Sequence, residues 1–174
     1  AIDVGASSVS VRDLDSGHAS AVRYDELLIG TGASGIVPKW PGIDAEGVLQ
    51  LRTLDDAAEV ERLLVAGARR AVVVGAGYIG LEVAEGLLER GLQVTAVERL
   101  AAPMGAVLDA AMAIDVASAM KAAGIDLRLG TAVTGFTVAG GRVTAVETAA
   151  GPVEADLVVI GLGVRPNAEL ARAA

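Results

Sequence analysis

The chain has 174 residues, which suits one full domain with an attached piece better than two complete domains. Hydrophobic residues make up 53% and aromatic residues only 2%, so the core is aliphatic and a disordered chain is excluded. The net charge of −8, without a basic stripe, argues against nucleic acid as a partner, and the absence of cysteine removes disulfides, thiolate metal sites and thiol chemistry.

No apolar stretch reaches membrane-spanning length. The N-terminal Ala1-Ile-Asp-Val lacks the basic and apolar regions of a signal peptide, so cytoplasm is the default compartment. The chain begins without Met inside a predicted strand and stops after a helix start at Ala168-Glu-Leu-Ala, which reads as a piece of a longer protein.

Val9 to Leu14 and Ala19 to Tyr24 alternate about the turn Asp15-Ser-Gly-His18, which predicts a β-hairpin. His18, the only histidine, is a solvated loop residue in this reading. Leu27 to Ile29 predicts a short buried strand ending at Gly30-Thr-Gly-Ala-Ser-Gly35. Val37-Pro-Lys-Trp-Pro-Gly42 is a proline-bounded connector and the predicted domain boundary. Thr53 or Asp55 caps a helix running to about Val65.

Ala71 to Val74 predicts a fully buried strand, and Tyr78 to about Arg90 a helix with Leu81, Ala84, Leu87 and Leu88 at helical spacing, ended by Gly91. Val94 to Val97 is a second strand. Leu108, Met112, Val116, Met120 and Ala123 mark a second helix stopped by Gly124, and Ile125 to Leu129 is a third strand. Each helix of this β-α-β-α-β run is long enough for a parallel crossover. Strands at about 132–138, 142–148 and 151–155 predict an antiparallel meander turning at Gly140-Gly141. Asp156 to Ile160 is a last buried strand, leading into Gly161-Leu-Gly163-Val-Arg-Pro166-Asn167. The predicted class is α/β: a Rossmann-type parallel sheet with helices on the faces and a three-stranded antiparallel meander, plus an N-terminal β-hairpin segment.

The glycines of Gly75-Ala76-Gly77-Tyr78-Ile79-Gly80 have separate jobs. Gly75 permits a sharp turn out of the strand, Gly77 lets backbone lie against a pyrophosphate, and Gly80 lets the helix pack close to the sheet. The helix N-terminus would point N–H groups and its positive dipole end at the phosphates. A bare glycine motif is weak evidence. Here it sits between a buried strand and an amphipathic helix, and Glu98 follows at the end of the next strand, where a ribose-reading carboxylate belongs.

That carboxylate favours NADH over NADPH, because it accepts from ribose hydroxyls and repels a 2′-phosphate. Arg99 is either a surface arginine or one that swings toward a 2′-phosphate. Glu82 either complements the helix dipole or meets the nicotinamide end. Met104, Met112 and Met120 read as packing. Nothing resembles a nucleophile triad, a metal cluster or a GK[ST] loop, so no catalytic residue and no metal ligand is assigned.

Gly75 to Ala84, Val94 to Glu98 and Asp156 to Asn167 together resemble the pyridine nucleotide-disulfide oxidoreductases, and are most similar to the coenzyme A-disulfide reductase and NADH oxidase branch. Tyr24 to Ala33 and Val37 to Asp44 match the same family. The resemblance implies a flavoenzyme in which FAD occupies one Rossmann domain and NAD(P)H an inserted second one, with hydride passing from nicotinamide to flavin and on to a disulfide, oxygen or another acceptor. It implies that residues 1–47 are the tail of the FAD-domain segment with its connector, 48–160 the NAD(P)H-binding domain, and 161–174 the start of the return to the FAD domain. Thr31 and Gly32 would lie near FAD. Glu82 matches an acid near the nicotinamide carboxamide, and Gly161, Leu162 and Gly163 a loop beside that ring.

The family's FAD fingerprint, redox cysteine and C-terminal dimerisation domain are absent from this chain. The expectation is a chain that binds NADH, does not retain FAD and turns nothing over alone, drawn from a homodimeric parent. The acceptor stays open between coenzyme A disulfide or oxygen and a ferredoxin, rubredoxin or nitrite system, and a non-catalytic nucleotide sensor is a reading of a different class.

Overall fold

In the computed structural model, which describes residues 1–174, the chain divides into two units: Ala1–Gly35 with Val164–Ala174, and Ile36–Gly163. In the smaller unit, β1 (Ile2–Asp3), β2 (Ser8–Arg12) and β3 (Ala19–Arg23) form an antiparallel sheet in that order. The predicted hairpin is β2–β3. Its turn is held by Asp13, whose carboxylate accepts from the Ser16 N–H at 2.7 Å and the Ser16 hydroxyl at 2.6 Å.

The buried strand predicted at Leu27–Ile29 does not form, and Leu28 is 93% exposed. An apolar run becomes a strand only where a neighbouring edge takes up its N–H and C=O groups, and no strand lies beside this one. The pairing falls later, where β4 (Ala33–Gly35) runs antiparallel to Val164–Pro166.

The larger unit runs β5 (Val48–Leu49), α1 (Leu54–Val65), β6 (Arg70–Val74), α2 (Tyr78–Glu89), β7 (Gln93–Val97), α3 (Ala110–Ala122), β8 (Asp126–Arg128), β9 (Val133–Ala139), β10 (Arg142–Thr148), β11 (Val153–Glu154) and β12 (Leu157–Ile160). The smaller unit closes with β13 (Val164–Pro166) and α4 (Glu169–Arg172). Five strands form a parallel sheet in the order β5-β12-β6-β7-β8. The crossovers through α1, α2 and α3 all step the same way across it, so the right-handed rule puts the three helices on one face. The return from β8 to β12 runs the opposite way and carries the antiparallel meander β11-β10-β9 onto the other face.

Residue alternation follows this layering. Ala71, Val73, Leu157 and Val159 join the helix-side core with Leu63, Ala84 and Leu87. Val72, Val74, Val158 and Ile160 join the meander-side core with Phe136, Val143 and Val146. Covered on both faces, β6 and β12 read as continuous apolar runs rather than alternating ones.

Thr53 caps α1 in a capping box with Asp56. Asp109 caps α3, which leaves Leu108 before the first turn. The inward stripe of α3 is therefore Ala113, Val116 and Met120, and Met112, expected in the core, is 54% exposed.

The connector packs with the larger unit, which spans Ile36–Gly163. Trp40 and Ile43 pack on the meander-side core, and the Phe136 N–H donates to the Pro41 carbonyl at 2.9 Å. Gly42, at φ 79°, lies so close that a Cβ there would sit 2.8 Å from the Phe136 carbonyl oxygen.

Candidate functional site

The direction of the connections reverses between β6 and β12, and open α/β sheets bind ligands outside the carboxyl ends of their strands at such a point. A crevice of about 650 Å³ lies there. Its wall is built from Val74 and Gly75 at the end of β6, Gly77, Tyr78 and Ile79 at the start of α2, Val97 to Leu100 after β7, Thr131 to Val133 after β8, Gly161 to Gly163 after β12, and Trp40 from the connector.

The three glycines of the loop differ in their surroundings. Gly75 has φ 100°, and a Cβ there would lie 2.6 Å from the Gly161 carbonyl oxygen. A Cβ on Gly80 would lie 1.9 Å from the Gly75 carbonyl oxygen, so α2 can approach the strand only because this residue has no side chain. A Cβ on Gly77 would meet nothing within 4 Å, so the backbone there faces open space.

Gly77 is the N-cap of α2 and offers no side-chain cap, and the first turn carries no acid. The N–H groups of Gly77, Tyr78 and Ile79 donate to no protein acceptor. Unpaired N–H groups and the positive end of a helix dipole make an anion cradle.

Glu98 and Arg99 are the charged residues of the wall. The Glu98 carboxylate is half-buried, and its two oxygens accept from the Ala76 N–H at 2.8 Å and the Leu100 N–H at 2.7 Å. Each carboxylate oxygen can accept twice, which leaves two acceptor sites free. Arg99 is exposed at the rim.

Of the residues singled out from sequence, Gly75, Gly77, Tyr78, Ile79, Glu98, Arg99, Gly161, Leu162 and Gly163 converge on this crevice. Ala76 and Gly80 are buried behind it. Glu82 does not line it. α2 turns Gly80, Val83, Ala84 and Leu87 toward the sheet, and Glu82, its fifth residue, is left in solvent beyond the first turn. Thr31 and Gly32 lie in the smaller unit, where the Thr31 hydroxyl donates to the Asn167 carbonyl at 2.5 Å and Gly32 takes φ 68°.

Sequence reasoning missed Trp40, Leu100 and Thr131 to Val133 in the wall. Thr131 was findable, since it follows a parallel strand at its carboxyl end. Trp40 arrives only through packing, edge-on to Phe136 with ring centroids 6.1 Å apart.

A family model described as pyridine nucleotide-disulphide oxidoreductase matches residues 1–174. The chain belongs to that family. Rhodocoxin reductase of Rhodococcus erythropolis is 41% identical over 88% of this chain and 36% of its own length. An NADH oxidase of Enterococcus faecalis is 36% identical over 97% of this chain and 38% of its own length. The structure of a NAD-dependent persulfide reductase from A. fulgidus matches with TM-score 0.90 at 35% identity, covering 99% of this chain and 32% of that one. The chain therefore spans about a third of the length of these relatives. Its parallel sheet with appended antiparallel strands is the Rossmann-type architecture of this oxidoreductase family. No helix is long and apolar enough to cross a membrane.

Proposed function

We propose that residues 36–163 are the NADH-binding part of an FAD-dependent oxidoreductase. The observation that carries the reading is the cradle at the start of α2, where three unpaired N–H groups stand beside the open backbone of Gly77. In it the diphosphate sits against Gly77, Tyr78 and Ile79. The remaining acceptor sites of Glu98 hold the adenosine ribose hydroxyls, and Gly161 to Gly163 flank the nicotinamide. Arg99 stays a rim residue, and Glu82, exposed on α2, either complements the helix dipole or meets the nicotinamide end.

When bound, NADH would supply a hydride to FAD, whose electrons would go on to a disulfide such as coenzyme A disulfide, or to oxygen. The chain's own residues bind and orient. The left-handed backbone of Gly75 and Gly163, at φ 100° and 88°, bends the loops back at the strand ends so that the crevice stays open. The helix N-terminus offsets phosphate charge.

Thr31 and Gly32 would help to hold FAD in the parent protein, which we take to be a cytoplasmic homodimer whose FAD and dimerisation parts complete the enzyme. Likeness to a rubredoxin-NAD(+) reductase of Pseudomonas putida at 34% identity and to a ferredoxin reductase from Rhodopseudomonas palustris at 36% favours a second reading of the acceptor, an electron-carrier protein of the ferredoxin or rubredoxin kind.

Calorimetric titration of the chain with NADH and NADPH tests the site. Saturable NADH binding is expected, with NADPH weaker by roughly tenfold or more, because a charge-assisted hydrogen bond contributes about 1.5–3 kcal/mol and a 2′-phosphate would face the carboxylate. Absence of NADH binding, or tighter NADPH, would refute the assignment. Assaying the intact parent with coenzyme A disulfide, oxygen and an iron–sulfur carrier separates the acceptors.

A further inference from the structure

Two successive peptide planes of the glycine loop, on either side of Ala76, are held by groups outside the loop. The Ala76 N–H donates to one Glu98 oxygen at 2.8 Å, and the Ala76 carbonyl accepts from the Met104 N–H at 2.8 Å. Ala76 is thus the one loop residue whose backbone is unavailable to a ligand on both sides. Every peptide bond is trans, so the Ala76 carbonyl and the Gly77 N–H point in opposite directions. The bond from Met104 therefore aims the Gly77 N–H away from the segment that follows β7.

The holding groups are themselves fixed. The second Glu98 oxygen accepts from the Leu100 N–H at 2.7 Å. The Glu98 N–H donates to the Arg128 carbonyl at 2.8 Å, and the Glu98 carbonyl accepts from the Thr131 N–H at 2.9 Å. Met104 has φ 55°, one of two non-glycine residues with positive φ, and it is buried beside a fully buried Pro103. A side-chain-bearing residue holds that conformation only where its surroundings over-determine it, and such residues gather at functional sites. Here the left-handed turn brings its N–H onto Ala76 while its carbonyl accepts from Val107 and Leu108 at 2.9 and 3.0 Å.

We propose that Glu98 and Met104 are positioning residues for the diphosphate cradle. They clamp the Ala76 peptides so that the N–H groups of Gly77, Tyr78 and Ile79 are set before a ligand arrives. Glu98 then acts on a dinucleotide twice, through the loop with the acceptor sites already in use and through the ribose with the free ones. The inference rests on the dinucleotide reading of the crevice.

The test uses adenosine diphosphate and 2′,3′-dideoxyadenosine diphosphate, which keeps both phosphates and lacks the hydroxyls that a ribose-reading acid would hold. Both are titrated into the wild-type chain and into Glu98→Gln, with melting temperature measured alongside. Glutamine offers one acceptor oxygen to two N–H groups, so one contact of the clamp is lost and the dideoxy nucleotide is expected to weaken by about fivefold or more. If adenosine diphosphate weakens while the dideoxy analogue stays within about twofold, Glu98 works only through the ribose, and the clamp is overturned while the dinucleotide reading stands. If neither nucleotide binds the wild type, the dinucleotide reading fails and takes the clamp with it. Amide hydrogen exchange on the wild type is independent of any variant. The Ala76 and Met104 amides should exchange at least about tenfold more slowly than the Gly77 amide, and equal rates overturn the proposal.

Discussion

Gly80→Ala puts a methyl group 1.9 Å from the Gly75 carbonyl oxygen and 2.9 Å from its carbon. Both are backbone atoms, with no flexible end to swing aside. Carbon–oxygen contact begins at about 3.3 Å, so the start of α2 and the end of β6 must part by roughly 1.4 Å. Overpacking of this kind costs about 1–3 kcal/mol, and in a domain of this size each ~1 kcal/mol lowers Tm by about 2–4 °C. A fall of roughly 2–12 °C is expected on that scale. A displacement of about 1 Å at a site can cost on the order of a hundredfold, so NADH affinity should drop by roughly 10- to 100-fold. Gly77→Ala is the control. Its Cβ meets no protein atom within 4 Å, and its φ of −86° suits any residue. Stability should change by no more than about 1 kcal/mol, yet binding should weaken because the methyl stands where the diphosphate approaches. Thermal melting and calorimetric NADH titration of both variants decide the matter. A Gly80→Ala chain that melts and binds like wild type would refute the close helix–strand approach, and unchanged binding by Gly77→Ala would refute the open cradle.

Asp156 joins the starts of β12 and β6, accepting from the Arg69 and Arg70 N–H groups at 3.0 and 2.9 Å and from the Arg70 guanidinium at 2.6 Å. The guanidinium hydrogen bond, with the two backbone N–H groups, lowers its pKa from 3.8 to about 2. A folded pKa below the unfolded one stabilises above about pH 4, and that stability is lost as pH falls toward 2. Asp156→Asn should cost about 2 kcal/mol at neutral pH, and denaturant titrations from pH 7 to 2 should show the gap to wild type closing in that window. Thr53→Ala removes the α1 cap and should cost about 1 kcal/mol, read by the same titrations. The purified chain should carry no flavin absorbance and hold no added FAD on gel filtration. A yellow protein would show that the Thr31–Gly32 region retains the cofactor without its partners.

Much of the site was legible because it follows from short-range rules. Gly75, Gly77 and Gly80 declare their separate roles through spacing between a buried strand and a helix. Glu98 sits where the next strand ends, and the cap at Thr53 delimits its helix. Leu27–Ile29 shows the weakness of the same reasoning. Three apolar residues in a row carry no information about whether an edge exists to pair with them. Spacing also could not show which way α2 turns on the sheet, and so that Glu82 stands exposed outside the crevice wall.

The amino-acid order alone determined the β-α-β-α-β run, the meander, the glycine loop and the acid that answers it, because burial patterns, caps and turns act over a few residues. Only the tertiary structure decided that β12 inserts between β5 and β6, that all three helices share one face, and that Trp40 and Thr131 join the crevice. The same holds for the clamp on Ala76 by Glu98 and Met104. These depend on contacts between segments far apart in the chain. Such contacts are set by how the sheet closes and which connection crosses which face, and no local pattern encodes either.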